Sequence, residues 1–250
     1  MITIGLVLAL VIGLTLGLFG GGGSTLTVPI FVYVLGFNAK LAIAMSFPVV
    51  GATSLVGAVG HWRAGNVRLT NAIIFGLVTM TGAYGGARAS RLLDGRAQLF
   101  ILGGVMAVAA VMMLRSARRD DVEAAVPEAP SVALYGAGLA VGALTGVIGI
   151  GGGFLLVPAL VVFGKLPMRE AVGTSLLVIA MNCVSGFAGQ VANDAIPWRF
   201  VCTFSAVAIV GILTGARLVR FVPQHTLKRG FALLLLVIAV LVLWQNHTKL

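Results

Sequence analysis

Residues 17–29 read GLFGGGGSTLTVP and residues 146–158 read GVIGIGGGFLLVP, each inside a long uncharged and apolar run. Glycine within a helix costs roughly 1 kcal/mol relative to alanine, so a glycine cluster is a poor continuation of a helix. Because the same interruption occurs twice, each followed by a proline, we predict in both places a helix, an unwound glycine-rich segment and a second helical piece.

The two segments belong to a longer internal repeat. An offset of 129 residues aligns residues 17–91 without a gap onto residues 146–220. Besides many glycines, the alignment pairs prolines, two arginines in each half, and Ser46 with Ser175. Coincident prolines, serines and arginines are harder to explain by chance than coincident glycines in a chain that has 34 of them. We therefore predict two homologous halves.

The boundary between the halves lies in RSARRDDVEAAVPEAPS, a charged stretch with two prolines that is typical of an exposed linker. The predicted domains are a first transmembrane repeat at 1–114, the linker at 115–131 and a second transmembrane repeat at 132–250.

The composition places this repeat in a membrane. Apolar residues make up 59% of the chain and charged residues 10%, with a mean hydropathy of +1.09. Crossing a bilayer takes roughly 20 apolar residues as a helix, which satisfies its own backbone hydrogen bonds. The charges leave eight uncharged runs, at 1–39, 41–62, 69–87, 97–114, 129–164, 171–193, 200–216 and 230–248. The sequence therefore predicts an all-α integral membrane protein, multi-pass in a cell membrane of the bacterial inner-membrane type.

The first run of each half is too long for one crossing and too short for two comfortable ones. Eight crossings would make the halves parallel, whereas re-entrant first runs would leave three crossings per half and an inverted repeat. The inverted arrangement distributes the 17 Lys and Arg residues more asymmetrically across the membrane. We favour inversion, and both arrangements place the two termini on the same side.

The net charge of +10 is explained by basic residues at span ends, so nucleic acid is not expected as a partner. The expected partner at this stage is the lipid bilayer. Asp and Glu are absent from all eight runs, and the chain has only three His. An enzyme would need a nucleophile with its base, a metal cluster or paired carboxylates at membrane depth. We predict no enzyme, no cofactor and no metal.

Paired interrupted helices in two repeats indicate a transporter binding site near the bilayer midplane. A helix that resumes after glycines presents unpaired N–H groups and the positive end of its dipole, which suits a small anion. A small anion, with a proton or sodium as coupling ion, is therefore the expected transported partner. Close helix packing is the competing explanation of the same glycines. The candidate substrate-binding residues at the two breaks are Gly20, Gly21, Gly22, Gly23, Ser24, Gly149, Gly151, Gly152 and Gly153.

Polar residues inside the following spans complete the candidate site. They are Ser46, Thr53, Thr174, Ser175 and Asn182, and the offset pairs Ser46 with Ser175 and Thr53 with Asn182. A membrane hydroxyl more often bonds a preceding carbonyl of its own helix than a ligand. His61, at the end of its span, is expected to be solvated at the interface rather than to couple protons.

The paired motifs GLFGGGGSTLTVP and GVIGIGGGFLLVP, with GTSL at 173–176, resemble the TauE/SafE family of membrane transporters, often called sulfite exporters. The first half departs from the family pattern, with AMSF in place of GTSL. The resemblance covers essentially the whole chain. It implies a secondary carrier for a small sulfur-containing anion, such as sulfite, thiosulfate or a sulfonate. An anion channel and a non-transporting membrane scaffold remain the alternatives.

Overall fold

The computed structural model describes residues 2–118, 132–148, 153–162, 164, 166–190 and 196–247, and the regular secondary structure of this part of the chain is all helical, without a strand. The helices are α1 (Ile2–Phe19), α2 (Gly22–Pro29), α3 (Ala39–Arg63), α4 (Leu69–Ala89), α5 (Gly95–Arg118), α6 (Val132–Ile148), α7 (Gly153–Val162), α8 (Met168–Gln190), α9 (Trp198–Leu218) and α10 (Gln224–His247). In these described ranges α3, α5, α8, α9 and α10 are long and apolar enough to cross a membrane. The predicted class, an all-α integral membrane protein, is confirmed.

The first long run breaks where the glycines begin, but the break is narrower than predicted. Helix α1 ends at Phe19, and α2 already begins at Gly22, so only Gly20 and Gly21 separate the two helices. Gly20 has a φ of +66°, a left-handed conformation that side chains rarely adopt. One such residue is enough to reverse the chain. The expectation that residues up to Ser24 are unwound is therefore wrong.

Helix α2 turns back along α1 after this break. Gly23 packs on the backbone of Ile12 and Leu16, and the Leu35 side chain comes within 3.6 Å of a β-carbon built on Gly5. Pro29 lies at the end of α2 and has no N–H to continue the ladder, and a π-helical turn at Ile30–Val34 follows it. The first apolar run is therefore a helical hairpin.

Helices α3 and α8 cross at the centre and run antiparallel. Near one end of the crossing Phe47 packs on Gly186, in the middle Gly51 packs on Cys183, and near the other end Gly57 packs on Leu176. Rising numbers along α3 thus meet falling numbers along α8, although the sequence offset of 129 pairs these two helices as equivalents.

Helices α9 and α4 each have two parallel neighbours. Helix α9 runs parallel to α3 and to α1, because Gly57 and Gly13 both meet Ile212 while the later Gly60 and Gly17 both meet Ala216. Helices α4 and α6 are parallel in the same way, through Gly82 with Leu139 and Gly86 with Ala143. Helix α4 also lies parallel to α8, since Arg68, Thr79 and Ser90 bond to Thr174, Asn182 and Gln190 in that order.

The short helices α2 and α7 lie inside this bundle. The two helices contact each other. In addition, α2 contacts α3 and α10, and α7 contacts α8 and α5. Helices α5 and α10 pack together on the remaining side. Helix α5 continues through Arg118 and so enters the predicted linker, whose residues 119–131 lie outside the described ranges. The two helices that follow the glycine segments are thus enclosed by protein.

The crossing of α3 and α8 predicts a disulfide. A β-carbon on Gly51 would lie 3.0 Å from the β-carbon of Cys183, close to the roughly 3.5–4.5 Å of disulfides. In a Cys202→Ser background, which removes the exposed native thiol, Gly51→Cys is expected to cross-link with Cys183 under mild oxidation in membranes. Protection of both thiols from a maleimide-polyethylene glycol reagent, reversed by dithiothreitol, measures it.

Gly104→Cys in the same background is the control, because a β-carbon there would meet nothing within 4 Å. It should leave both thiols reactive once the protein is denatured. Equal labelling of the Gly51→Cys and Gly104→Cys proteins would contradict the crossing of α3 and α8.

Candidate functional site

The starts of α2 and α7 meet in the interior of the bundle. A β-carbon on Gly21 would overlap the backbone of Gly153 and Phe154, so the two backbones are in direct contact. A β-carbon on Gly153 would in turn lie 3.1 Å from Ser24 Oγ. The structure thereby brings together Gly21, Ser24 and Gly153 from the predicted site. Gly149, Gly151 and Gly152 lie outside the described residues.

The starts of α2 and α7 favour negative charge, and the segments that form them contain no acid. Gly21 is the N-cap of α2 and has no side-chain hydrogen bond to the first turn. The first four N–H groups of a helix have no partner within it, and they add up with the peptide dipoles to a partial positive charge. Residues 1–93 and 132–169 contain no Asp or Glu. Nothing in these parts of the sequence would repel an anion at the junction.

The glycines themselves lie against protein in this structure. Gly23 packs on α1, Gly21 on α7, and a β-carbon on Gly20 would lie 2.8 Å from Ser175 Oγ. The small size of these glycines therefore permits close helix packing in this structure. Close packing was the explanation that competed with ligand binding in the sequence analysis. An anion of several atoms would need the starts of α2 and α7 to move apart before it could lie between them.

The predicted hydroxyls are buried, and in the described contacts they donate within their own helices. Ser175 Oγ donates to the Val172 carbonyl at 2.9 Å, and Ser46 Oγ donates to the Ile43 carbonyl at 2.7 Å. Ser24 and Thr53 make similar bonds to Gly21 and Val49. Such a bond is worth roughly 1 kcal/mol net, so a charged ligand can compete for the same proton. Of the hydroxyls on α3 and α8, Ser175 is placed directly at the first break.

Thr174 lies near the start of α8 and contacts the α3–α4 loop rather than the break. Its Oγ1 accepts a hydrogen bond from the Arg68 backbone N–H at 3.1 Å. Beside it the Arg68 Nε lies 2.7 Å from a Glu170 carboxylate oxygen. The hydrogen bond and the negative charge of Glu170 raise the pKa of Arg68. Thr174 thus belongs to a contact that ties the α3–α4 loop to α8.

Asn182 lies deeper, between α8 and α4. Its side chain is fully buried, and its Oδ1 accepts a hydrogen bond from Thr79 Oγ1 at 2.8 Å. Its Nδ2 has no hydrogen-bond partner among the residues that the structure describes. Sequence reasoning named Asn182 but missed Thr79, which looked like one more hydroxyl in an apolar run. The offset of 129 could not reveal it, because the equivalent of Thr79 is Ala208.

Three further buried polar groups were not among the predicted site residues. His61 is 1% exposed, and its Nε2 lies 3.2 Å from the Gly17 carbonyl, so the expectation of a solvated histidine is wrong. Burial follows from packing, since His61 also touches Gly173 at the start of α8. Thr27 and Ser54 are fully buried, and neither hydroxyl has a partner in the described structure.

The two arginines that the repeat places in the first half, Arg88 and Arg91, make different contacts. Arg88 is exposed at the end of α4, where it donates to the Tyr84 hydroxyl at 3.2 Å and lies over the same ring. Arg91 donates to the Gly189 carbonyl at 2.7 Å and so joins α4 to the end of α8. Neither lies at the junction of α2 and α7.

A separate cleft of about 550 Å³ lies between α3 and α8. Its walls are almost entirely apolar, with Phe47, Leu55, Met181 and Phe187 among the lining residues. Such a surface has no donor for an anion. It does not compete with the junction of α2 and α7 as a site for a charged substrate.

Comparisons with known proteins agree on one kind of protein. The family model "Sulfite exporter TauE/SafE" matches residues 5–242. A probable membrane transporter protein of Xylella fastidiosa is 33% identical over 96% of this chain and 94% of its own length. The probable membrane transporter proteins of Haemophilus influenzae and YdhB of Bacillus subtilis are 28% and 24% identical, over 91% and 89% of this chain and 92% of each relative. No solved structure matches.

Proposed function

Since the chain belongs to the sulfite exporter TauE/SafE family of membrane transporters, we propose that it is a secondary carrier for a small anion of the sulfite or organosulfur class. The protein is a multi-pass membrane transporter, and the proposal concerns its substrate and mechanism. The observation that carries it is the junction of α2 and α7, where two glycine-preceded helix starts meet in the interior. Two positive helix ends favour a negative ligand.

The anion is proposed to bind between these helix starts once they separate. The first-turn N–H groups of α2 and α7 would hold the oxygen atoms of the anion, as at other helix N-termini. Ser24 and Ser175 are close enough to add hydroxyl donors, because Ser24 lies beside Gly153 and Ser175 beside Gly20. The absence of Asp and Glu from residues 1–93 and 132–169 supports an anion over a cation.

Alternating access is proposed to use two inverted repeats. Helices α3 and α8 are equivalent under the sequence offset, and their antiparallel crossing supports the inversion. In an inverted repeat the two halves present the same surfaces toward opposite sides of the membrane. Rocking of one half against the other would open the junction first to one side and then to the other.

Counterflow into proteoliposomes tests the proposal. Purified protein is reconstituted, loaded with unlabelled sulfite and supplied with radiolabelled sulfite, with thiosulfate, a sulfonate and chloride as competitors. We expect saturable exchange that thiosulfate or the sulfonate inhibits more strongly than chloride. Linear, non-saturating flux would support a channel instead, and no flux above empty liposomes with any of these anions would support a scaffold.

The double variant Ser24→Ala/Ser175→Ala tests the hydroxyls. We expect kcat/KM for sulfite to fall on the order of tenfold or more, because each lost hydrogen bond to a charged group is worth roughly 1.5–3 kcal/mol. Thr203→Ala/Thr214→Ala is the control. These two exposed threonines make the same kind of bond to their own helix, on the exposed side of α9. Unchanged kcat/KM in the serine variant would remove both hydroxyls from the site.

A further inference from the structure

The buried pair formed by Thr79 and Asn182 takes no part in the junction of α2 and α7. Both side chains have no exposed surface, and Thr79 Oγ1 lies 2.8 Å from Asn182 Oδ1. Asn182 Nδ2, with two N–H donors, has no partner in the described part of the chain. Buried polar groups are nearly always hydrogen-bonded, so an amide left with two free donors requires an explanation. A ligand that accepts hydrogen bonds would supply it.

The pair lies within one helical turn of the junction of α2 and α7. The Ile179 side chain lies against Gly153 at the start of α7. Asn182 follows Ile179 by three residues and so lies on the same side of α8, one turn along. A free amide at that position and the start of α7 are therefore independent features that favour the same ligand, an anion.

The fold does not require this pair. Under the offset of 129, Thr53 takes the place of Asn182 and Ala208 takes the place of Thr79. The interface of α3 with α9 is thus built without an amide and without a cross-helix side-chain bond at this position. Thr53 bonds only to carbonyls of its own helix in the described contacts. A residue needed merely for packing would be expected in both halves.

Resting on the proposed anion site, we propose that Thr79 is a positioning residue that holds the Asn182 carboxamide so that its NH2 group donates to the bound anion. The Thr79 hydroxyl has one proton and two acceptors within reach, the Gly76 carbonyl at 3.0 Å and Asn182 Oδ1 at 2.8 Å. Donation to Oδ1 fixes the amide with its oxygen toward α4 and its nitrogen away from Thr79. The opposite orientation would present an oxygen, which suits a cation.

Thr79→Val, Thr79→Ser and Asn182→Asp test the role of the pair. Equilibrium binding of radiolabelled sulfite and the KM and Vmax of counterflow are measured on the full chain. Thr79→Val keeps the shape of the side chain and removes the donor, so we expect Kd and KM to rise on the order of tenfold with Vmax little changed. Thr79→Ser should restore both. A merely structural role would lower the yield or Vmax and leave KM as it is.

Thr81→Val is the matched control, because Thr81 lies on the same helix and makes the same kind of bond to its own helix, but is exposed. Asn182→Asp keeps the size and the acceptor for Thr79 while placing oxygen atoms where the NH2 group was. We expect it to lose sulfite binding. This variant also decides the question if Thr79→Val does not fold.

The binding and counterflow results separate a failure of the Thr79–Asn182 inference from a failure of the proposed function. Wild-type binding together with unchanged Kd and KM in Thr79→Val overturns this inference and leaves the proposed function standing. Wild-type affinity in folded Asn182→Asp does the same, because the amide nitrogen would then not contact the anion. A wild-type protein that neither binds nor exchanges any tested anion overturns the proposed function and the inference together.

Discussion

Gly21→Ala is expected to abolish counterflow and to lower the free energy of unfolding by about 3 kcal/mol, at the upper end of overpacking effects. Gly21 has φ −67° and ψ −19°, a conformation that alanine adopts freely, so the substitution adds no backbone strain. The whole effect comes from the new methyl group, which would overlap the backbone of Gly153. Backbone atoms cannot move away as the end of a flexible side chain can.

Thermal unfolding in detergent and counterflow in proteoliposomes measure the two effects of Gly21→Ala. Gly104→Ala is the control, since Gly104 lies in a helix and a β-carbon there would meet nothing within 4 Å. It should leave transport unchanged and, by removing a helical glycine, raise stability by up to roughly 1 kcal/mol. Wild-type stability and transport in Gly21→Ala would mean that α2 and α7 do not touch at their starts.

Gly86→Val is expected to cause the second large loss, about 3 kcal/mol or more of unfolding free energy, at the interface of α4 with α6. A β-carbon on Gly86 would overlap the Ala143 carbonyl, and one on Gly142 would overlap the Thr79 carbonyl. Glycines on both helices thus let the two backbones touch. In a bilayer, close packing of this kind is a main source of attraction between helices.

The neighbouring residue supplies the control for Gly86→Val. Gly85 is in the same helix turn, but a β-carbon there would meet nothing within 4 Å. Gly85→Val should therefore change the unfolding free energy by no more than about 0.5 kcal/mol. Thermal unfolding of the two variants in the same detergent gives the comparison. Equal melting temperatures would contradict the packing of α4 on α6.

The glycines at the first break serve helix packing in this structure. The sequence motif suggested that Gly20 to Gly23 open the backbone to a ligand, whereas the structure uses Gly21 and Gly23 for contacts with α7 and α1. The two roles are compatible in a carrier. A site that binds its substrate transiently must close when the substrate leaves, and glycines allow the two helix starts to meet.

The fold class of the protein could be predicted because it depends on free-energy contributions that each residue makes locally and that sum along the chain. Transfer of apolar residues into a bilayer and the cost of glycine in a helix are local, so the membrane helices and the break at Gly20 follow from the sequence alone. The exact width of the break did not follow. Gly22, Gly23 and Ser24 join α2 because a helix can begin directly after one left-handed residue.

The sequence by itself determined an integral membrane protein, the break in its first helical run and the residue types that could hold an anion. The tertiary structure decided which of these residues meet. Ser175 lies at Gly20, Thr79 bonds Asn182, and His61 is buried against Gly17. The partners of Ser175 and Asn182 are more than 100 residues away along the chain, and that of His61 lies on a different helix. Such contacts depend on how whole helices pack against one another, and apolar helices of similar composition carry no local signal for their choice of neighbour.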